Sequence, residues 1–228
     1  MKSAAKADLH LHTTHSDGVS RPEDYLRIAK KRRFSIISIT DHNTFRGSEE
    51  ALKLAKQYDI IVIPGCEVRT NVGDVLVYCE ELPAEEAPRR LEDLLAWKST
   101  NKCIVVPAHP LDMSRSGVGL RNLIRGKWDA VEVFNGGTLL PLVNELTYVL
   151  TRALVRVPML GSSDAHSVLM FGLCYTEIKD EIASPADVID AILSNKVVPR
   201  KASSYARRVI AKSATRLLRK TMSDLSEP

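Results

Sequence analysis

With 228 residues, 44% of them hydrophobic and 26% charged, the chain can close one α/β core, and its composition excludes a fibrous or disordered polymer. The formal net charge of +4 is concentrated near the C-terminal end: residues 200–220 hold eight Lys or Arg and no acid, so the remainder is slightly negative and is not a general nucleic-acid surface. No apolar run approaches the roughly 18 residues of a bilayer span, and residues 1–8 lack the apolar centre of a signal peptide, which predicts a cytoplasmic protein with no membrane partner.

Short apolar runs then alternate with helical patterns, without an internal repeat. Residues 8–12, D-L-H-L-H, read as a strand; side chains alternate along a strand, so His10 and His12 face the same way, with Asp8 before them and Asp17 after. Ser20-Arg21-Pro22-Glu23 supplies an N-cap, an early proline and a capping-box glutamate for a helix reaching residue 32. A β-branched strand follows at 35–40, then a helix over 47–58 and a strand at 60–63, too apolar to be exposed on either face, which ends in Pro64-Gly65-Cys66-Glu67. Residues 71–78 read as a turn and a strand, and 88–100 as a helix with Leu91, Leu94, Leu95 and Lys98 at helical spacing. A strand at 104–106 delivers Ala108-His109-Pro110; a helix, a strand at 130–134 and a long helix over 140–155 come next. The strand at 158–160 delivers Gly161-Ser162-Ser163-Asp164-Ala165-His166, and helices over 185–194 and in the basic tail close the chain. Cys66, Cys79, Cys103 and Cys174 lack C-x-x-C spacing and read as buried thiols of a reducing compartment.

Strands alternating with helices predict a parallel sheet with helices outside it, and at least six strands in this length suit a closed or nearly closed barrel. The polar residues strengthen this: His10, His12, Asp41, His42, Glu67, His109, Glu132, Asn135, Asp164 and His166 fall at or just beyond strand ends, where barrel active sites are assembled. A single histidine there is ordinarily structural, but the whole set beside carboxylates reads as a metal site. His15, in a loop next to Asp17, is the exception and reads as an exposed side chain. Imidazole and carboxylate without thiolate suit Zn, Mn or Fe in an open catalytic site. The ligands exceed the needs of one ion, so two or three divalent ions are expected, an arrangement used to cleave phosphate esters by in-line displacement.

D-L-H-L-H-T-T-H-S-D-G, S-I-T-D-H-N-T, P-G-C-E-V, the H-P after a strand and S-D-A-H resemble, in order, the motifs of the PHP (polymerase and histidinol phosphatase) superfamily, and the S-D-G resembles its stand-alone phosphoesterase branch. The resemblance implies a distorted (β/α)7 barrel with its metals at the C-terminal strand ends, a PHP domain over residues 1–200, and a basic helix and tail over 201–228 packed on it. It also implies one metal on His10, His12, Glu67 and Asp164, a second shared through Glu67 with His109, and a third on Asp17, His42 and His166. Relatives complete the second site with another histidine; this chain has Asp74 there, a further candidate ligand that favours a harder ion such as Mn or Mg. Asp8 and Asp41 are candidate acceptors that fix imidazole tautomers. Arg115 resembles the family's phosphate-binding arginine, Arg69 is a weaker candidate for the same task, and Asn135 is expected to line the pocket.

The expected function is therefore hydrolysis of a phosphate ester, of a small phosphorylated metabolite or nucleotide, by a hydroxide bridging the metals, with Glu67, His109 and Arg115 as catalytic residues. Two alternatives stand beside it: an exonuclease acting on oligonucleotide ends, which the basic tail favours, and a catalytically silent PHP domain that binds metal for structure or as an accessory. The tail places Val209, Ile210, Ala214, Leu217 and Leu218 roughly on one helical face, which predicts a helix packed through that face.

Overall fold

The computed structural model describes residues 4–202 and 205–226. The chain begins with β1 (Ala5–Asp8), α1 (Pro22–Lys31), β2 (Ile36–Ile37), α2 (Arg46–Tyr58) and β3 (Ile61–Val62), a run whose strands pair in parallel. Next come β4 (Gly65–Thr70), β5 (Gly73–Cys79), α3 (Leu91–Thr100) and β6 (Cys103–Pro107), which form an antiparallel sheet. They are followed by α4 (Gly119–Arg125), β7 (Val131–Asn135), α5 (Pro141–Leu150) and β8 (Met159–Ser162), with β7 and β8 paired in parallel. Finally, β9 (Cys174–Ile178), α6 (Pro185–Leu193) and β10 (Val197–Lys201) lead to α7 (Tyr205–Ser226). The sheets run β10-β9-β1-β2-β3, β4-β5-β6 and β7-β8. Single parallel bridges join them at Leu11 with Ala165 and at His42 with Glu67, beside the histidine motifs.

The fold is α/β, but its ladders are mixed rather than all parallel as the alternation predicted. Only Asn71 and Val72 separate β4 from β5, too few for a crossover, so the strands form a hairpin. Thr70 Oγ1 closes it by donating to Gly73 O at 2.6 Å, and Gly73 adopts φ +133°. Three strands were absent from the sequence reading. β4 lay hidden under the Glu67 motif, while β9 alternates buried and half-buried residues and β10 is polar along its outer half, so neither shows an apolar run. The strand expected over 8–12 stops at Asp8, and His10 and His12 follow it in an extended segment held by the Leu11 bridge.

The outer helices anchor this frame through ordinary amphipathic stripes. α1 buries Pro22, Tyr25, Leu26 and Ala29, and the Tyr25 hydroxyl lies between the carbonyls of His12 (3.0 Å) and Ala165 (2.8 Å), tying the helix to two metal-motif segments. Its cap is one residue later than expected: Arg21 N–H donates to Asp24 Oδ2 at 2.9 Å, while Ser20 Oγ accepts from Val168 N–H at 3.1 Å. The expectation of four free thiols also needs correction. Cys66 and Cys174 are buried and free, but register places Cys79 opposite Cys103 across β5 and β6, where they form a disulfide.

The tail helix packs by a different face from the one its apolar residues predicted. Ile210 is 69% exposed, Leu217 66% and Leu218 44%, whereas Arg208, Ala211 and Thr215 are buried. Polar bonds decide the docking: Thr215 Oγ1 meets Ser167 Oγ at 2.7 Å, and Lys212 Nζ donates to Gly137 O at 2.6 Å. α7 therefore lies beside the loops that follow β7 and β8. Among the described residues, no helix is long and apolar enough to cross a membrane.

Candidate metal centre

The segments after β1, β2, β6 and β8 and the strands β4 and β5 deliver their histidines and carboxylates to one place. Glu67 stands at its centre: Oε2 lies 3.3 Å from His10 Nε2, 3.1 Å from His12 Nε2 and 3.2 Å from His42 Nδ1, while Oε1 lies 3.2 Å from His109 Nε2. Asp164 Oδ1 is 3.6 Å from His10 and 3.5 Å from His12, and its Oδ2 is 3.9 Å from His109. Asp17 Oδ2 reaches His166 at 3.1 Å, and its Oδ1 faces His12 at 3.6 Å and His42 at 3.8 Å. The ligand atoms fall into overlapping groups, each within 4.8 Å: His12, Asp17, His42 and His166; His10, His12 and Glu67; His10, His109 and Asp164; and Glu67, Asp74 and His109. All eight residues expected as ligands thus lie together, and Asp74 joins them. The backbone is bent to present them, since His109 (φ 31°) and Asp164 (φ 51°) occupy the left-handed region that non-glycine residues seldom adopt.

These residues fit divalent cations. Glu67, Asp164, His10 and His12 are buried, yet Glu67 Oε1, Asp164 Oδ1, Asp17 Oδ1 and the Nδ1 atoms of His12, His42 and His109 have no hydrogen-bond partner among the described residues. Polar atoms withdrawn from water without partners are costly, and a shared cation is the ordinary remedy. His10 Nε2 and His12 Nε2 are 3.0 Å apart and turned to a common point, as two ligands of one ion would be. Electrostatics agree. Burial opposes charge on His10 and His12, yet the carboxylates around them raise both, His12 to about 9. Burial likewise opposes charge on Glu67 and Asp164, but His10 and its neighbours hold Glu67 well below its usual range, and Arg115 with His10 does the same for Asp164. The pocket demands positive charge, and metal ions compete with protons for these atoms.

Around the ligands, two expectations change. Asp8 and Asp41 bond no imidazole. Asp8 accepts from Ser163 N–H (2.9 Å) and Gly172 N–H (2.8 Å), and Asp41 accepts from Thr13 N–H (2.7 Å), Thr13 Oγ1 (2.6 Å) and Ser16 Oγ (2.6 Å). Their short side chains reach the backbone of the ligand loops and brace it. Burial pushes Asp8 up to about 6 against those hydrogen bonds. The residue that orients an imidazole is Glu132 on β7: it accepts from His10 Nδ1 at 3.0 Å, from His109 N–H at 2.7 Å and from Asn135 Nδ2 at 2.9 Å. Its position three residues before Asn135 was visible in the sequence, but its partner was not.

Asn135 joins ligand and cleft, donating to Asp164 Oδ2 at 3.0 Å and accepting through Oδ1 from Arg115 (3.1 Å), Gly137 N–H (2.8 Å) and Thr138 N–H (3.0 Å). Arg115, in the 3-10 turn Met113–Arg115, also pairs with Asp164. A Cβ on Gly137 would stand 2.5 Å from Arg115 Nη1, so glycine is what lets the guanidinium lie there. Arg69 points elsewhere. Its Nε is 3.2 Å from Asp74 Oδ1, and it is absent from the walls of the cleft, so it serves the Asp74 carboxylate. His15, as expected, stands apart and meets Glu50 at 2.7 Å. The cleft, about 500 Å³, opens beside Asp17 and His166, with Arg115 and Gly137 on one wall. α7 adds Lys212, Arg216 and Arg219 to its lining, residues seen in the sequence only as a basic run.

Buried imidazole and carboxylate groups converge at the strand ends of an α/β frame in clusters consistent with a multinuclear metal site beside an open cleft. The chain belongs to the PHP domain family: the PHP domain matches residues 8–126, and the PHP-associated region matches residues 153–197. It is 34% identical over 143 residues to MJ1587, an uncharacterised protein of Methanocaldococcus jannaschii, a match covering 57% of this chain and 81% of that one. It is 39% identical over 66 residues to a 5'-3' exoribonuclease of Haemophilus influenzae, covering 29% of this chain and 24% of the enzyme. It is 34% identical over 86 residues to a 3',5'-nucleoside bisphosphate phosphatase of Chromobacterium violaceum, covering 36% and 30% respectively. The fold is shared with PsfC of Pseudomonas syringae, with a TM-score of 0.72 at 18% identity, covering 97% of this chain and all of that one at 100%.

Proposed function

We propose that the protein hydrolyses phosphate esters of a small phosphorylated metabolite or nucleotide, with two or three divalent ions held by His10, His12, Asp17, His42, Glu67, His109, Asp164 and His166. The observation that carries the proposal is Glu67, whose two oxygens face different imidazole sets, His10, His12 and His42 on one side and His109 on the other. Such ions, when bound, supply a water of lowered pKa and positive charge for the phosphate oxygens. The donor set suits Zn, Mn or Fe, and the Glu67, Asp74 and His109 group admits a harder ion such as Mg. Glu132 holds His10 in the tautomer that leaves Nε2 free as a ligand, and Arg115 offers a planar fork to a phosphate entering the cleft. We read the three sheets as arcs of one distorted (β/α)7 barrel, linked through the Leu11–Ala165 and His42–Glu67 bridges.

A second reading, cleavage from the end of an oligonucleotide, is favoured by the basic wall of the cleft and by likeness to a segment of the exoribonuclease. A purely structural role for the metals is disfavoured, because the ligands adjoin an open cleft rather than a sealed core. Mn-loaded protein should hydrolyse p-nitrophenyl phosphate, bis-p-nitrophenyl phosphate, nucleotides or short oligonucleotides well above a His10→Ala, Glu67→Ala variant. Equal rates for the two proteins on every one of these substrates would refute hydrolysis.

A further inference from the structure

Among the described residues, the basic stripe of α7 meets the metal-ligand residues through Arg219 alone. Lys212, Arg216 and Arg219 are spaced one and two helical turns apart, so they share a face, and that face forms a wall of the cleft. The three cations are not equally occupied. Arg219 is engaged with Asp17, through its carbonyl and, at 3.5 Å, its carboxylate. Lys212 makes one bond, to the Gly137 carbonyl, and Arg216 makes no hydrogen bond or ion pair among the described residues. Arg115 lines the same cleft. The helix also turns Ile210 and Leu217 to solvent in this docking, which brings its cations rather than its apolar residues to the cleft.

We infer that Lys212 and Arg216 form a second anion subsite, which holds the non-reacting phosphate of a small bisphosphorylated substrate while its scissile phosphate lies toward Arg115 and the metal ligands. The inference rests on the phosphoester reading above and narrows its substrate class. Burial, then the positive charges of Arg115 and Arg216, depress the Lys212 ammonium despite Asp164 and Asp112, so an arriving dianion relieves repulsion already present. Two adjacent cations can bond a phosphate from separate directions, and charged hydrogen bonds of this kind are the stronger class. A cleft of about 500 Å³ is of small-molecule size. The helix lies beyond both family segments, 8–126 and 153–197, so the family match assigns Lys212 and Arg216 no role.

The test is calorimetric titration of adenosine 3',5'-bisphosphate and adenosine 5'-monophosphate into the metal-free full chain, wild type and Lys212→Ala/Arg216→Ala, beside Arg216→Ala alone, whose exposed side chain can be removed without disturbing the fold. Wild type should prefer the bisphosphate, and the double variant should lose at least tenfold of that preference; the single variant should be intermediate with its melting temperature unchanged, while the double variant also melts lower for want of the Lys212–Gly137 bond. No preference in wild type, or an equal preference in the double variant, overturns the subsite. So does a loss confined to single-stranded oligonucleotides with steep salt dependence, which assigns the stripe to a polymer. Turnover of the same compounds by Mn-loaded protein separates the two readings. Hydrolysis with an unaltered preference removes the subsite alone, and an altered preference without hydrolysis of any ester removes the hydrolase reading alone.

Discussion

Glu67 and Arg115 occupy neighbouring space but are asked for different things. Glu67 is buried and is approached by imidazoles on both oxygens, so Glu67→Gln removes a charge and a ligand that several groups share. At least one metal equivalent should be lost, measured by elemental analysis, and activity should fall to background. Arg115→Ala should keep its metals and lower kcat/KM by roughly ten- to a hundredfold, the about 1.5 to 3 kcal/mol of a charged hydrogen bond. If Arg115→Ala loses metal as readily as Glu67→Gln, its pairing with Asp164 is its real task. Asp74 is a carboxylate divided between Arg69 and the Glu67, His109 group. The ion that depends on it should be the first to leave on mild chelation, and Asp74→His should retain it longer. Unchanged metal retention in that variant would remove Asp74 from the site.

At the scale of elements, α7 is held by few polar bonds and little apolar area. The Thr215 and Ser167 hydroxyls pair at 2.7 Å in a buried position, so Thr215→Val leaves Ser167 unsatisfied and should cost about 1 to 2 kcal/mol in chemical denaturation. An effect within error would mean that α7 is docked chiefly by Lys212 and Ala211. The antiparallel pair β5 and β6, joined through α3, is tied differently. Its disulfide closes a sequence separation of 24 residues, and Cys103→Ser should destabilise the oxidised protein by about 3 kcal/mol on loop entropy. Reductant should bring wild type down to the variant and leave the variant unmoved.

For the molecule as a whole, protons and metals compete at the same imidazoles, and the sign of the effect can be worked out. His12 has its folded pKa raised to about 9 by the carboxylates around it, above the unfolded value near 6.5. Its contribution to the stability of the metal-free protein is complete below pH 6.5 and is lost as pH rises through 9. The melting temperature of the chelated protein should therefore fall across that window, while metal-loaded protein should hold or gain, because deprotonation frees ligands. Parallel melting curves with and without chelator between pH 6.5 and 9 check this; curves that fall together would mean that the ions do not occupy these histidines.

The sequence by itself picked out the histidines and carboxylates that gather at the site, because their chemistry is written in residue type and in local spacing. Two histidines alternating in an extended segment face one way whatever surrounds them, and polar residues placed after apolar runs lie at strand ends whenever those runs become strands. Most helices were legible for the same local reason, with α1, α2 and α6 falling within a few residues of their expected bounds. Three matters were settled by tertiary structure. Strand direction depended on the length of the β4–β5 turn and on the pairing of β9 with β1 from the far end of the chain, which β10 then extends. The Cys79–Cys103 bond depended on register between strands, which no spacing along the chain encodes. The docking face of α7 depended on Ser167 and Gly137, more than 40 residues away in sequence, whose polar groups outweighed the helix's own apolar pattern. Local chemistry is read from neighbours in the chain, whereas register and docking are decided by the partners an element meets only after folding.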